Sequence, residues 1–292
     1  MTEHPYYIDQ IANQRKKQTH KKLVCIVIPV YREFLTKTEE ASLKQCLNIL
    51  RNYPIYLAKP EKVSVSEIIK NNEQIYTESF QDDFFHSIDG YNRLMLSDQF
   101  YSRFKNYEYM LLYQLDAFVF SDQLSTWCGL EYDYVGAPWL PKKTIPKSFF
   151  LLKIKRKLYQ WLNIKNRAHN GLHHMQYDYL SGNGGMSLRR ISAIRQTLFK
   201  LNKRITPYLV RSHHSYNEDI FFSVESNRYK NNIKTPPFSE AIYFSWESHP
   251  ATALEYCNGI LPFGCHGWNK LHKEQWCTIF SSIGYKLDKI LD

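Results

Sequence analysis

One acidic residue stands where a carboxylate is unexpected. Asp116 interrupts the run from Tyr107 to Phe120, which is otherwise filled almost continuously by aromatic and aliphatic residues and is predicted to be one buried strand. An unpaired carboxylate inside a core is costly, so Asp116 is expected to face a cation or a ligand where the strand opens into a crevice. The alternative, an Asp that caps the turn after the strand, remains open.

Two further acids lie side by side later in the chain. Glu218 and Asp219 follow Asn217, which is a good N-cap residue, so both are predicted to lie in the first turn of a helix. The positive end of a helix keeps a carboxylate ionised, which favours a base over an acid. The alternative is that both acids only complement the helix dipole.

A glycine-rich segment precedes this acid pair. Residues 181–189 read Ser-Gly-Asn-Gly-Gly-Met-Ser-Leu-Arg and are predicted to form a turn running into a helix from about Ile191 to Leu201. The segment lacks the Gly-Lys-Ser ending of a phosphate-binding loop and the spacing of a dinucleotide loop. Its glycines permit close approach of the backbone to a ligand.

A single histidine is placed between two glycines near the end of the chain. His266 lies within residues 261–268, which are predicted to form a loop. A His so placed is expected to move freely and to pack poorly, and the simplest alternative is a surface turn residue. The chain also holds 22 Tyr and 17 Phe, which suit walls that stack on planar or sugar rings, or simply an aromatic-rich core.

The elements that position these residues follow from periodicity and breakers. Buried strands are predicted at 23–31, 55–58 and 74–80, and helices at 38–50, 65–71 and 91–104. A strand, a helix and a strand within about forty residues make a βαβ unit, which predicts a right-handed crossover and a parallel sheet. Residues 132–139 contain Gly and Pro between aromatic neighbours and are predicted to form a turn.

Composition narrows the class of protein. The 292 residues are 43% hydrophobic and 23% charged, as in a globular chain with a substantial core. The six cysteines show neither metal spacing nor a secreted disulfide framework, so reduced thiols in a cytoplasmic protein are expected. No signal peptide or membrane-spanning run is visible. The net charge of +10 indicates a nucleic acid, an anionic membrane or a phosphorylated ligand as partner.

The positive charge is concentrated in two places. Residues 1–22 are predicted to be a basic N-terminal arm, and residues 142–167 carry nine positive charges and no acidic residue, interleaved with apolar side chains. If residues 142–167 are helical, that mixture is typical of a helix at a membrane interface. An ordinary helix packed on the domain with a solvated basic face is the alternative.

The motifs together resemble a known family. Their order is an Asp closing a hydrophobic strand, then Tyr-Val-Gly-Ala-Pro-Trp, Gly-Asn-Gly-Gly-Met-Ser-Leu-Arg, Asn-Glu-Asp and Phe-Gly-Cys-His-Gly-Trp. The chain is similar over residues 23–268 to a bacterial family of glycosyltransferase-like proteins first catalogued as a domain of unknown function. The resemblance implies a GT-A-like, Rossmann-like α/β fold over residues 23–292, with a mainly parallel sheet flanked by helices. Residues 142–167 are then a basic amphipathic insertion.

The resemblance also implies roles. Enzymes of this architecture usually hold Mn²⁺ or Mg²⁺ with an Asp-any-Asp motif, which here reads Gln114-Leu115-Asp116, and a late His that matches His266. Without a metal, Arg189 or a lysine must neutralise the leaving diphosphate. Asp219 is the expected base, with Glu218 in reserve. Donor and nucleotide contacts are expected from Val30, Tyr31, Gln114, Asp116 and Arg189, and sugar or acceptor contacts from Trp139, Gly182, Asn183, Gly184, Gly185 and Trp268.

The sequence therefore predicts a cytoplasmic glycosyltransferase that moves a sugar from a nucleotide-sugar donor to a polysaccharide or lipid-linked oligosaccharide, with an inverting mechanism. Its basic insertion is expected to hold it against the inner membrane. One rival is an inactive sugar- or nucleotide-binding protein, since the first Asp of the metal motif is missing. A nucleic-acid-binding protein is the weaker rival, because no recognised binding motif accompanies the charge.

Overall fold

The computed structural model describes residues 22–70, 72, 74–142, 145–146, 148–167 and 170–285. Nine strands lie in this part of the chain: β1 (Lys22–Pro29), β2 (Ile55–Pro60), β3 (Ile75–Phe80), β4 (Tyr107–Tyr113), β5 (Ala117–Val119), β6 (Tyr134–Pro138), β7 (Ser181–Arg190), β8 (Ser245–Trp246) and β9 (Gly264–His266). Apart from Lys22, the predicted basic arm lies outside the described residues.

Six strands form the main sheet, in the order β3-β2-β1-β4-β7-β6. The first four are parallel to one another, and β7 is antiparallel to both β4 and β6. Alternate residues of β1 enter different clusters of core side chains, Cys25 and Val27 in one and Ile26 and Ile28 in the other, so both faces of the sheet are covered. The α/β fold with a mainly parallel sheet is confirmed.

The helices occupy the faces of this sheet and the ends of its strands. They are α1 (Lys37–Ile49), α2 (Ser66–Ile69), α3 (Ile88–Met95), α4 (Asp98–Arg103), α5 (Leu124–Gly129), α6 (Phe150–Trp161), α7 (Ile191–Lys200), α8 (Asn202–Val210), α9 (Glu218–Ile220), α10 (Phe238–Ala241), α11 (Pro250–Tyr256) and α12 (Lys273–Ser282). A π-helical turn, Phe221–Glu225, continues α9. The helices predicted at 38–50, 65–71 and 191–201 are confirmed within a few residues at each end.

The helix predicted over 91–104 is two helices, α3 and α4. Ser97 lies between them with extended backbone angles, and its hydroxyl accepts a hydrogen bond from the Phe100 N–H. A serine that caps a new helix start therefore interrupts a pattern whose apolar spacing alone looked continuous.

The predicted strand from Tyr107 to Phe120 is also divided. The turn after β4 is closed by a 2.8 Å hydrogen bond from the Ala117 N–H to the Gln114 carbonyl, and β5 then pairs with β9 in a second sheet of order β5-β9-β8. The prediction was wrong because continuous hydrophobicity reports burial, and both sheets are buried here. The change of sheet puts Asp116 at the junction between them.

Two segments predicted as turns are strands. Residues 134–138 form β6 and the glycine-rich segment forms β7, and their register shifts twice between Gly136 and Pro138. Pro138 is accommodated because it ends the outermost strand of the sheet. The glycines of β7 allow close packing rather than a reversal of the chain, as the site shows.

The basic segment contains the predicted helix, α6, and the apolar face of that helix is exposed. Six apolar side chains on it and just beyond its end are each more than half exposed: Phe150, Leu151, Ile154, Leu158, Trp161 and Leu162. Leu152 and Arg156 are half-buried and Gln160 is buried, at the four-residue spacing of one helix face. The helix thus packs through a partly polar face and presents an apolar one outward.

Within the described residues, none of the helices combines the length and the apolarity needed to cross a bilayer. Five of the six cysteines, Cys25, Cys46, Cys128, Cys257 and Cys265, are buried thiols.

Candidate active site

The site is centred on Asp116, whose carboxylate lies between two cations. Its Oδ1 is 3.0 Å from His266 Nε2 and its Oδ2 is 2.7 Å from Lys270 Nζ. Burial opposes ionisation of this carboxyl, but the charges of His266 and Lys270 outweigh it and lower the pKa of Asp116. Of the two readings left open by the sequence, the one in which Asp116 faces a cation is therefore the observed one.

His266 is fixed rather than mobile, which corrects the loop prediction. It belongs to β9, where it pairs with Ala117 of β5. Its Nε2 is also 3.2 Å from Gln114 Oε1, and its Nδ1 is 3.4 Å from Glu247 Oε1. Burial favours the neutral ring, but Asp116 first and Glu247 second raise the pKa of His266 to about 10. The imidazole is thus a buried cation at neutral pH.

The glycines of β7 leave the space that the neighbouring side chains occupy. A Cβ added to Gly185 would lie 1.9 Å from His266 Nε2, and one added to Gly184 would lie 2.3 Å from Glu218 Oε1. A Cβ on Gly182 would lie 2.0 Å from the Trp139 ring. The element is a strand, and its glycines admit side chains of the chain itself, so the predicted approach of a ligand to this backbone stays a prediction.

Glu218 and Asp219 begin α9, as predicted, but the cap comes from another helix. Asn92 of α3 accepts a hydrogen bond from the Glu218 N–H at 3.1 Å and donates one to Asn217 Oδ1 at 3.1 Å. Glu218 Oε1 pairs with Arg189 at 2.9 Å, and its Oε2 is buried without a hydrogen-bond partner among the described residues. An orphaned acceptor at this position is a feature expected where a ligand donates.

Asp219 differs from the sequence expectation in its protonation. Burial, and then the negative charge of Glu218, raise the pKa of Asp219 to about 8, against the lowering effect of the hydrogen bond from the Ile220 N–H. The helix dipole was expected to keep this carboxylate ionised. It does not prevail, because burial and the charge of the adjacent Glu218 both favour the protonated form of Asp219.

The charges around Asp116 and the acid pair of Glu218 and Asp219 meet on one strand, β7. Gly184 contacts the acid pair and Gly185 contacts His266, so adjacent residues of β7 separate them. Glu247 also acts on both, because its charge raises the pKa of Asp219 and of His266. The residues that the motif order associates are therefore neighbours in space.

Several predicted contact residues border this cluster. Tyr31 is 43% exposed, and partial burial together with the charges of Asp116 and Glu39 raises its pKa. Gln114 contacts His266, and Asn183 Oδ1 accepts a hydrogen bond from the Gly185 N–H. Trp139 is half-buried over Gly182.

Three predicted contact residues do not present their side chains to a ligand. Arg189 is fully buried, where it pairs with Glu218 and donates a hydrogen bond to the Tyr101 hydroxyl at 2.8 Å. Trp268 is fully buried against Phe118 and donates to the Ala117 carbonyl. Val30 is buried in the core beside β1. Sequence position alone does not show which face of an element a side chain occupies.

The sequence reasoning missed Lys270, Glu247 and Asn92. Lys270 follows His266 by four residues and is the one with a visible signal, since a cation close after the late His is a candidate for a diphosphate contact. Glu247 and Asn92 carry no such signal, because only the fold brings β8 and α3 to the site.

The described residues contain no group of three His, Cys, Asp or Glu side chains that could hold a metal ion. Asp116 Oδ1 and His266 Nε2 nevertheless lie 3.0 Å apart, and a bound ion would replace the proton between them, because imidazole coordinates a metal only as the neutral ring. Gln114 Oε1 is an amide oxygen within the same reach. These residues fit an ion that takes its remaining ligands from a bound diphosphate and water.

Comparison with known proteins gives a family and a set of distant structures. A family model described as "Protein of unknown function (DUF5672)" matches residues 74–266. No curated protein matches the sequence.

Among solved structures, core-mannan synthase A from Aspergillus fumigatus, in a Mn/GDP form, is 10% identical with a TM-score of 0.48, over 77% of this chain and 76% of that one. The galactosyltransferase LgtC, in complex with donor and acceptor sugar analogs, is 11% identical with a TM-score of 0.47, over 88% and 95%. The glycosyltransferase GlyE of Streptococcus pneumoniae TIGR4 is 15% identical with a TM-score of 0.42, over 93% and 62%.

Proposed function

This chain belongs to the DUF5672 family, and we propose that it is a glycosyltransferase that uses a nucleotide-sugar donor. The observation that supports this most is that the cluster of Asp116, His266 and Lys270 meets a carboxylate of raised pKa at Gly184 and Gly185. Displacing a nucleoside diphosphate from a sugar needs these two groups together.

The donor's diphosphate would lie at Asp116, His266 and Lys270. Lys270 is 68% exposed along its side chain, so it can turn from Asp116 toward an anionic ligand. Asp116, His266 and Gln114 would hold Mn²⁺ or Mg²⁺, which supplies positive charge to the departing diphosphate. Tyr31, exposed beside Asp116, would contact the nucleotide.

Asp219 is the proposed base that takes a proton from the acceptor hydroxyl in an inverting transfer. A pKa of about 8 is close to the operating pH, where a general base is most effective. Glu218 is less suited, because Arg189 already holds one of its oxygens in a buried pair. Trp139 and Asn183, beside the glycines, would border the sugar.

The second candidate is a protein that binds sugars or nucleotides without turnover. It is favoured by the observation that both oxygens of Asp116 already contact cations of the chain itself. Transfer and hydrolysis assays over a panel of nucleotide sugars, with and without Mn²⁺, separate the two candidates. The proposal expects turnover with at least one donor, and binding of a nucleoside diphosphate without turnover of any donor would favour the second candidate.

The proposed acceptor is a polysaccharide or lipid-linked oligosaccharide at a membrane surface. The outward apolar face of α6 is bordered by Lys155 on one side and Lys153 and Lys157 on the other, an arrangement that inserts apolar side chains between lipids while lysines meet the headgroups.

Sedimentation with vesicles that contain anionic lipid tests this membrane contact. Ile154→Asp with Trp161→Asp is expected to reduce the bound fraction at least about fivefold, because each change places a charge in the inserted face. Phe199→Asp is the matched control, since Phe199 is equally apolar and 82% exposed but lies on α7. Equal binding by the two variants would show that α6 does not contact the membrane.

A further inference from the structure

A cavity of about 700 Å³ lies away from the candidate active site, between α6 and residues 227–239. Leu180, the residue before β7, forms part of its wall. None of the residues assigned to donor binding or proton transfer lines it. The cavity is therefore a separate feature that requires its own explanation.

Positive charge dominates the lining. Lys153, Arg156 and Lys157 of α6 and Lys234 of the opposite wall line the cavity, against one carboxylate, Asp133. Arg156 Nη1 also donates to the Asp178 carbonyl at 2.8 Å. Asp133 Oδ2 accepts a hydrogen bond from the Lys234 N–H at 2.8 Å. Burial, and then the charges of Arg156 and Lys153 on the same helix, lower the pKa of Lys157. Like charges gathered at a cavity favour an anion between them.

A buried hydroxyl in the same wall has no partner. Ser223 is 4% exposed, lines the cavity, and its Oγ makes no hydrogen bond to any part of the chain that the structure describes. A buried hydroxyl left unpaired destabilises the fold, because it has lost its hydrogen bonds to water. A bound acceptor oxygen removes that cost, so the hydroxyl points independently to a ligand.

We propose that this cavity binds a phosphate or diphosphate group, with Lys153, Arg156 and Lys157 holding its oxygens and Ser223 Oγ donating a hydrogen bond to it. The group belongs to a phospholipid headgroup, to the diphosphate of a lipid-linked glycan, or to a free phosphate ester. The first two sources agree with the exposed apolar face of the same helix. The lipid-linked glycan as ligand rests on the proposed function, in which it is an acceptor, whereas the phosphate site itself does not.

The test is titration calorimetry of the full chain with inorganic pyrophosphate, in a Lys270→Ala background that weakens the donor site. Lys153→Ala with Lys157→Ala is expected to weaken binding at least about tenfold, because two charge-assisted contacts are lost. Lys155→Ala, on the other border of the apolar face, is the matched control and should bind as the background does. Equal affinities in these two variants would overturn the proposal.

Ser223→Ala separates a ligand contact from a structural role. It is expected to weaken pyrophosphate binding several-fold while the melting temperature stays the same or rises, since an unpaired buried hydroxyl contributes nothing to the fold. A lowered melting temperature with unchanged binding would assign Ser223 to the fold and count against the proposal.

Competition identifies the source of the phosphate. Displacement of pyrophosphate by farnesyl diphosphate indicates a lipid-linked diphosphate, and displacement by phosphatidylglycerol vesicles indicates a headgroup. Displacement by inorganic phosphate alone indicates a free phosphate ester. Failure of all three, or of pyrophosphate itself to bind, overturns the proposal whether or not the protein transfers sugar.

Discussion

Asp116 and Asp219 lie on either side of the same glycines, and their surroundings shift their pKa values in opposite directions. Both are buried enough for desolvation to be the largest single influence. Asp116 has two cations in contact, whereas the largest charge effect on Asp219 comes from the adjacent Glu218. The charges beside each carboxylate, rather than burial alone, therefore decide which one stays charged and which one exchanges a proton.

The largest effect is expected from Asp219→Asn, which keeps the shape and removes the titrating group. Turnover of any accepted donor should fall about 10²–10⁴-fold with little change in donor affinity, because general-base catalysis contributes about that much. Steady-state kinetics and calorimetry measure the two quantities.

Glu218→Gln, which neutralises the neighbouring acid, is compared with Asp219→Asn. It should reduce stability, since it leaves Arg189 buried without its ionised partner. Retention of full turnover in Asp219→Asn would exclude Asp219 as the base and give that role to Glu218 or to water.

A smaller effect is expected from Lys270→Ala, which changes the surroundings of Asp116. Affinity for nucleoside diphosphates should fall about 10- to 100-fold, because an exposed cation that reaches Asp116 is lost from the diphosphate site. Lys273→Ala, an exposed lysine at the start of α12, serves as the control. Calorimetry would count against Lys270 if the two variants bound equally.

The packing between the two groups is tested by Gly185→Ala. The added Cβ meets the His266 ring, so the variant should lose about 1–3 kcal/mol of unfolding free energy. In a His266→Ala background, Gly185→Ala should cost less unfolding free energy than it does in the wild type, because the ring that the Cβ would meet is gone. A simple sum of the two single effects would show that the ring is not what Gly185 accommodates.

The pH dependence of stability tests the protonation of Asp219 directly. The folded pKa of Asp219, about 8, exceeds that of an unfolded Asp, about 3.9. Between these values the folded chain holds a proton that the unfolded chain releases, so this contribution to stability falls as pH rises from about 4 to about 8. Denaturant unfolding of wild type and Asp219→Asn should therefore differ increasingly over that range. A constant difference would mean that Asp219 is ionised throughout.

Local sequence was enough to predict the layered α/β fold, the crossover of β1, α1 and β2 and the helix beginning at Glu218. Local hydrophobic periodicity and capping carry that information, because they act between residues near in sequence. It also singled out Asp116, Asp219 and His266, since each departs from the residues around it.

Which side chains meet depends on the tertiary structure and could not be predicted from local sequence. The division of the strand at Gln114, the burial of Arg189 and Trp268, and the contacts of Lys270, Glu247 and Asn92 all depend on partners far along the chain. The raised pKa of Asp219 has the same origin, because its largest cause is burial, which the packing of distant segments sets. Periodicity places a residue on a face of its element, but pairing between elements sets its charge and its accessibility.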